Sequence, residues 1–346
     1  MALGTIGTNQ IASEAVTVPK VTDQVLSNRN ILINGSARVH QRGNQATTNG
    51  GSVYFVDRFN VFHNSAAAVA NLQQSTDTPS GQGFGNSMLI DVTTADTSIA
   101  AGEIAVLRQI LEGQNLQQLK YGTSSAESLT LSFWVKSPKT GVHICELYHN
   151  DSQAKTQSQS YTISSANTWE KHSVTFSGDT AATLDNDNAY TIAVQWGLFA
   201  GTDYTSGTLQ TTWANITSAN RFVGQVNLFD STDNNFYLTG VQLEVGVETP
   251  FEHEEISTTL RKCQRYFQEY ISYKLYFNGT NEPSSEVGNS RLLPVVMRAV
   301  PTVGNKTSTH GSVGAYSANT HSIRYITVSS HGSGGFDVGF DLDAEL

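Results

Sequence analysis

Short stretches of alternating apolar and polar residues run through most of the chain. In the stretch Leu129–Lys136 every second residue from Leu129 is apolar, and Trp134 falls between the apolar positions. Successive side chains of a strand point to opposite faces, so this pattern predicts a strand with one face in a core and Trp134 on the other. Clusters of Gly, Asn, Asp and Ser separate such stretches from residue 29 to about residue 255. This spacing predicts an all-β sandwich.

Two further stretches qualify this picture. Residues 190–198 alternate in the same way, and the pattern places Tyr190 and Trp196 together on the apolar face. Residues 102–121 are ambiguous, because Ile104, Leu107 and Leu111 fit helical spacing as well as a strand.

A helix and a second β region are predicted after the sandwich. Residues 256–270 carry apolar side chains at helical spacing, with Ser257 as the N-cap and with Glu254 and Glu255 near the positive end of the helix dipole. This pattern predicts a linker helix over residues 256–270. Alternation returns at residues 321–329, and a small β domain over residues 271–346 is the simplest interpretation.

Composition agrees with this class. The chain has 346 residues, of which 14% are charged and 29 are glycines, and such a mixture favours strands and turns over long surface helices. The 20 basic and 30 acidic side chains give a net charge of −10, which argues against a broad nucleic-acid-binding surface. No apolar run reaches the roughly 20 residues that a membrane-spanning helix needs, and no signal peptide is recognised at the N-terminus.

The two cysteines, Cys145 and Cys263, lie far apart in the sequence. A small cysteine count of this kind fits synthesis in a reducing compartment and predicts two buried thiols. A disulfide between them is the alternative.

Several segments follow one another in an order that resembles a known family. They are NILING (residues 30–35), YFVDRF (54–59), LTLSFWVK (129–136), ANTWEK (166–171), FYLTGVQLEVG (236–246), TPFEH (249–253) and RKCQRYF (261–267). This order resembles the jelly-roll module of bacteriophage tail fibres and covers most of residues 29–270. The middle part is also similar to the carbohydrate-binding jelly rolls attached to polysaccharide-degrading enzymes. LLPVVMRAVPTV (292–303) resembles a phrase common in the C-terminal domains of phage fibres.

The resemblance implies an all-β protein: a jelly-roll β-sandwich over residues 29–255, with an extended N-terminal arm before it and a small C-terminal β domain after the linker helix. It also favours a strand at residues 103–111, and we allow a short helix at residues 115–119. One fold occurs in proteins with many different functions, so the resemblance predicts the fold more specifically than the function.

The function that the resemblance implies is that of a homotrimeric tail fibre subunit. Such a subunit is assembled in the host cytoplasm, joins other virion proteins and recognises a host surface polysaccharide or receptor. It needs no cofactor, nucleic acid or membrane insertion and is not an enzyme. A head fibre or capsid decoration protein is the first alternative, and a polysaccharide depolymerase is the second. A secreted carbohydrate-binding protein is disfavoured because no signal segment is recognised.

Residues 1–28 are predicted to be the virion-attachment arm. They contain no aromatic residue, and their spaced apolar side chains cannot form a core alone. IASEAVT (residues 11–17) resembles phrases near the starts of fibre proteins, whereas a disordered tail is the alternative interpretation. The apolar residues that we assign to contacts of the arm are Ile6, Ile11, Val16, Val18 and Val21.

Catalytic and metal-binding patterns are weak in this sequence. No nucleophile elbow, phosphate loop, dinucleotide fingerprint or zinc-protease motif is present. Glu112 with Glu146, or Asp185 with Asp187, are carboxylates of the type that glycosidases use, but solvated or strand-edge carboxylates are the simpler interpretation. The polar run that contains Asp185 and Asp187 lacks the glycine and distant glutamate of a calcium-binding EF-hand loop, so we predict a polar turn and no metal site.

Glycan binding has the better physical case. Proteins hold sugars with aromatic rings against the apolar ring faces and with amide, hydroxyl and charged groups at the rim. Trp134 and Lys136 share the polar face of one strand, Tyr148 and His149 end the next predicted strand, and Tyr204 lies in a Gly-rich loop. We predict these five residues as glycan contacts, with burial of Trp134 as the alternative.

Overall fold

The computed structural model describes residues 28–151, 154–277, 286–308, 312–328 and 334–346. Strands dominate the first part of the chain. They are β1 (Gln45–Ala46), β2 (Gly51–Tyr54), β3 (Phe59–His63), β4 (Val69–Ser75), β5 (Ser87–Thr94), β6 (Ile104–Glu112), β7 (Leu129–Lys136), β8 (Gly141–His149), β9 (Lys155–Ile163), β10 (Glu170–Phe176), β11 (Tyr190–Ala200), β12 (Ala214–Asn215) and β13 (Asn235–Val245). A single helical turn, α1 (Thr202–Thr205), follows β11.

These strands form two antiparallel sheets. One has six strands in the order β1-β4-β5-β13-β7-β10, and the other has seven in the order β12-β9-β8-β11-β6-β3-β2. Buried apolar residues from both sheets form one continuous core between them. The chain is therefore an all-β protein with a jelly-roll β-sandwich, as predicted.

Strand β7 shows how the sequence pattern builds the core. Leu129, Leu131, Phe133 and Val135 are fully buried in the shared core, whereas Trp134 on the other face is only partly buried. The ring of Phe133 meets Trp196 of the facing sheet edge-on, with ring centroids 5.8 Å apart. The predicted faces of this strand are confirmed.

The ambiguous stretch after residue 102 is a strand. β6 lies between β11 and β3, and it places Leu107 and Leu111 in the core. Two short 3-10 turns follow at Gly113–Asn115 and Gln117–Leu119. Pairing with strands on both sides overrides the helical spacing, and this confirms the strand prediction.

Asparagine and glycine residues join the start of the described chain to β13. The side-chain amide of Asn30 donates to the carbonyl of Val241 at 2.9 Å, and its oxygen accepts from the amide of Leu243 at 3.0 Å. The backbone of Gly35 accepts a hydrogen bond from Val241 at 2.9 Å. NILING therefore lies alongside β13, and the close approach requires glycine at position 35.

Helix α2 (Ile256–Gln264) is shorter than predicted. Its N-cap is Glu255, whose side chain accepts from the amides of Ser257 and Thr258, so the prediction of Ser257 as the N-cap is wrong. The helix does not reach residue 270, because the chain is already paired as a strand at Phe267. Sheet hydrogen bonding at this point replaces the helical pattern.

Six strands follow helix α2, namely β14 (Phe267–Phe277), β15 (Glu286–Leu292), β16 (Thr302–Ser308), β17 (Ser312–Ala318), β18 (Ser322–Val328) and β19 (Gly334–Asp343). They form two three-stranded sheets in the orders β14-β19-β16 and β15-β18-β17. A separate apolar cluster, which includes Met297, Ile323, Phe340 and Leu342, lies among these strands and their connections.

Salt bridges join the last described residues to the sandwich. The carboxylate of Glu345, which is almost completely buried, pairs with Arg58 and lies 3.4 Å from Arg42. Arg42 also pairs with Asp343 at 2.9 Å. The guanidinium of Arg58 stacks on Tyr266, with its central carbon 3.4 Å from the ring centroid.

Three further predictions concern the N-terminal arm, the two cysteines and membrane-spanning helices. The arm residues Ile6, Ile11, Val16, Val18 and Val21 belong to residues 1–27, which the structure does not describe. Both cysteines are free and buried, so they do not form a disulfide. None of the described helices is long and apolar enough to cross a membrane.

We expect Gly35→Ala to destabilise the fold, because the added Cβ would collide with the carbonyl oxygen of Val241. Overpacking of this kind costs about 1–3 kcal/mol. Gly85→Ala is the matched control, since a Cβ at Gly85 meets no atom within 4 Å. Chemical denaturation should show a lower midpoint for Gly35→Ala alone. Equal midpoints for the two variants would contradict the close approach of the two segments.

Candidate functional site

The outer face of the seven-stranded sheet, which is turned away from the shared core, carries an open cleft of about 210 Å³. We call it the sheet cleft. It is lined by Phe62, Ile104, Val106, Arg108, Tyr148, Asn150, Tyr190, Gln195, Tyr204 and Arg221. Three tyrosines and two arginines thus meet on one surface.

Strand alternation explains part of this lining. In β8, Leu147 is in the core, which turns Glu146 and Tyr148 to the outer face. In β6, Leu107 is in the core and Arg108 faces the cleft. These outward positions follow from the period of two once the core-facing residues are known.

Tyr190 reaches the cleft because β11 starts with an irregularity. Tyr190 lies opposite Glu112 of β6, whereas Ile192 lies opposite Leu111. Two steps along β11 therefore match one step along β6, as in a β-bulge. Ile192 is in the core, so the shift turns Tyr190 outward. The prediction that placed Tyr190 on the same face as Trp196 is wrong for this reason.

The chain between β11 and β13, residues 201–234, folds back over the outer face, and we call it the covering connection. Phe222 of this connection is buried in a small apolar cluster with Ile104 and Val106 of β6. The amide of Phe222 donates to the carbonyl of Tyr204 at 3.0 Å. This packing brings both Tyr204 and the neighbouring Arg221 to the cleft.

A buried ion pair lies under the cleft. Glu146 is fully buried, and its carboxylate accepts hydrogen bonds from Nε and Nη2 of Arg221 at 2.8 and 2.7 Å and from Gln195 at 3.2 Å. Burial disfavours the charged guanidinium, but the carboxylate outweighs this effect and raises the pKa of Arg221. The guanidinium carbon lies 4.9 Å from the ring centroid of Tyr148 and 5.8 Å from that of Tyr204. The ion pair therefore orients two walls of the cleft.

The second arginine of the cleft is held by neutral groups. Nε of Arg108 donates to the amide oxygen of Asn60 at 3.0 Å, and Nη2 donates to the hydroxyl of Ser52 at 2.8 Å. The guanidinium carbon lies 5.1 Å from the ring centroid of Phe62. These contacts fix the direction of the side chain while leaving its charge in the cleft.

The structure separates the five predicted glycan contacts. Tyr148 and Tyr204 come together in the sheet cleft, as described above. Trp134 and Lys136 lie on the outer face of the six-stranded sheet, on the opposite side of the sandwich. Lys136 there pairs with Asp77, and its Nζ lies 4.3 Å from the ring centroid of Tyr237. The structure therefore divides the predicted contacts between the two outer faces of the sandwich.

His149 is placed inside the protein. It follows Tyr148 in the same strand and so points to the opposite face. Its side chain is fully buried beside Trp213, with Nε2 3.4 Å from a carboxylate oxygen of Asp151. A glycan cannot reach this position, so the prediction of His149 as a contact is wrong.

Sequence reasoning missed Arg108, Tyr190 and Arg221. The outward direction of Arg108 could have been predicted, because Arg108 alternates with Leu107 once β6 is taken as a strand. The outward direction of Tyr190 could not have been predicted, since no residue type in the sequence indicates the bulge. Arg221 lies in the irregular covering connection, where no strand or helix periodicity predicts the direction of a side chain.

The carboxylates considered for catalysis have other surroundings. Glu112 accepts hydrogen bonds from Arg265 at 2.9 and 3.2 Å. Burial alone would raise the pKa of Glu112, but these bonds and further hydrogen bonds lower it overall. Glu146 carries the ion pair described above, and Asp185 and Asp187 are exposed before β11. In the described part of the chain, no three His, Cys, Asp or Glu side chains are grouped to hold a metal ion.

Two other pockets are larger but chemically less suited to a ligand. One, of about 290 Å³, lies between the sandwich and the terminal strands, where Arg42 pairs with Asp343 and covers the ring of Phe267 at 3.7 Å. The other, of about 310 Å³, is lined largely by apolar groups next to Asn28 and includes Val247. The sheet cleft combines open rings with hydrogen-bonding groups, so it is the candidate site.

No protein-family model matches the chain, and no curated protein sequence matches it either. Solved structures with partial similarity include the enzymatically active domain of tailspike protein 4 of bacteriophage CBA120. That match is 13% identical with a TM-score of 0.32, and it covers 63% of this chain and 21% of that one. Similarity also extends to the family 11 carbohydrate-binding module of Clostridium thermocellum in complex with a mixed-linked tetrasaccharide, at 16% identity and a TM-score of 0.28, covering 60% and 98%.

We expect Glu146→Gln to destabilise the protein, because Arg221 would keep its charge without a buried carboxylate. Breaking a buried ion pair by removing one partner costs about 3–5 kcal/mol. Chemical denaturation of Glu146→Gln, Arg221→Met and the double variant measures the coupling between them. The double variant should lose less stability than the sum of the single variants. Strict additivity would contradict the role of the pair.

Proposed function

We propose that the sheet cleft binds a glycan of a host cell surface. The observation that carries this proposal is the convergence of Tyr148, Tyr190 and Tyr204 with Arg108 on one outer sheet face. Each residue comes from a different element, so their convergence is a property of the fold and not of one local sequence.

The chemistry of the cleft suits sugars. Tyrosine offers a ring that packs against the apolar C–H face of a sugar and a hydroxyl that donates or accepts a hydrogen bond. Asn150 and Gln195 add amide groups to the lining, and the Arg108 guanidinium adds hydrogen-bond donors. Binding alone accounts for this arrangement, and the proposal includes no covalent step.

We assign the glycan-binding chain to a bacteriophage tail fibre, as a homotrimeric subunit. This part of the proposal is supported by the order of segments such as YFVDRF, LTLSFWVK and FYLTGVQLEVG, which resembles tail fibres. Residues 1–28 would attach the subunit to other virion proteins. Three copies of a weak site act together through their effective concentration, so millimolar contacts suffice to hold a particle on a cell.

We expect Tyr148→Ala to weaken glycan binding about five- to thirtyfold, because the loss of a central aromatic anchor costs about 1–2 kcal/mol. The measurement is a glycan array, followed by calorimetry with the best ligand. Trp134→Ala is the matched control on the opposite sheet and should bind normally. The cleft is the wrong site if Trp134→Ala abolishes binding while Tyr148→Ala, still folded by circular dichroism, binds as before.

We expect cryo-electron microscopy of intact particles to show threefold fibre density that joins the tail through residues 1–28. Light scattering of the full-length chain should give three times the chain mass of 37.4 kDa. A stable monomer at micromolar concentration would contradict the trimer. Density that leads to the capsid shell would contradict the tail assignment without affecting the cleft.

A further inference from the structure

The two arginines of the sheet cleft differ in how their charge is balanced. Arg221 is neutralised by Glu146, which contacts it through two hydrogen bonds. Among the described residues, the side chain of Arg108 donates hydrogen bonds only to the amide oxygen of Asn60 and the hydroxyl of Ser52, and both of these groups are neutral. Across the described residues no carboxylate pairs with Arg108. The cleft therefore carries one uncompensated positive charge.

This charge stands out against the rest of the chain, whose net charge is −10. The nearby acidic residues Glu103 and Asp203 do not line the cleft, and Glu112 is paired with Arg265. A cationic cleft on an anionic protein concentrates anionic ligands locally, while the remaining surface repels them.

The geometry of Arg108 leaves donors free for a ligand. Its two hydrogen bonds use Nε and Nη2, so the Nη1 amino group has no partner in the described structure. The guanidinium carbon also lies over the ring of Phe62, 5.1 Å from its centroid. A planar guanidinium with a free edge is matched to the two oxygens of a carboxylate.

From these observations we propose that the glycan bound in the sheet cleft is acidic, and that Arg108 selects it by binding a sugar carboxylate such as that of a uronic acid. This inference rests on the proposed glycan-binding function and adds the ligand class. Tyr148 and Tyr204 contact the sugar ring, while Arg108 contacts the carboxylate at its edge.

The test uses the full-length protein and matched polymers. Polygalacturonate, alginate and hyaluronate are each compared with the same polymer after chemical reduction of its carboxyl groups, which removes the charge and keeps the sugar ring. We expect at least one acidic polymer to bind about tenfold more tightly than its reduced form, because a hydrogen bond to a charged group discriminates by about this factor. Its affinity should also fall as salt is added.

Variants at position 108 assign the effect to one residue. Arg108→Gln keeps a hydrogen-bond donor for Asn60 but removes the charge, so it should bind the acidic and reduced polymers equally. Arg108→Lys should retain part of the preference. Arg261→Gln removes a charge from the exposed side of helix α2 and should behave as the parent protein.

The outcomes separate this inference from the proposed function. Equal binding of acidic and reduced polymers, with binding still lost in Tyr148→Ala, would overturn the acidic ligand but leave glycan binding intact. A preference that persists in Arg108→Gln would overturn the role of Arg108. The absence of binding to every polymer, acidic or reduced, would overturn glycan binding and the acidic ligand together.

Discussion

The ion pair between Glu146 and Arg221 is the interaction on which the sheet cleft depends. A buried carboxylate without a counter-charge costs several kcal/mol, so the covering connection has to keep Arg221 on the sheet. With Arg221 in place, the adjacent Phe222 fills the space over Val106, and its amide holds the backbone of Tyr204. One charge on the outer face of β8 thus determines the course of a long connection and the position of two cleft walls.

Buried carboxylates also pair with arginines of distant segments at two other places in the molecule. Glu112 pairs with Arg265 at the end of helix α2, and Glu345 pairs with Arg58 of the sandwich. Only 14% of the residues are charged, yet these buried pairs connect segments far apart in the sequence. Arg221 and Arg265 each donate two hydrogen bonds to their carboxylate, which fixes orientation as well as contact, whereas Arg58 donates one to Glu345 and another to the carbonyl of Ile110. The pairs therefore set how the covering connection, the helix and the chain end sit on an otherwise apolar sandwich.

The sequence predicts the sandwich well because strand alternation is a local property. The core face of β7 follows directly from its period of two. The sequence predicts the cleft less well, because the positions of the cleft residues depend on where the strand alternation is interrupted or ends. Tyr190 is turned outward by a bulge, and Arg221 lies in a connection without a period. Tyr148 and His149 were predicted together, although neighbours in a strand cannot share a face.

The two outer faces of the sandwich differ in what their aromatic rings already contact. On the six-stranded sheet, the ammonium of Lys136 lies between the rings of Tyr237 and Trp169, and Asp77 binds both Lys136 and the indole N–H of Trp169. Those side chains satisfy one another, so a sugar would have to displace an existing network. On the seven-stranded sheet, the cation next to the tyrosine rings is Arg221, which is paired with the buried Glu146. The rings of Tyr148, Tyr190 and Tyr204 still line the open sheet cleft. A ring binds a ligand only where its surroundings leave it free, and this condition favours the sheet cleft.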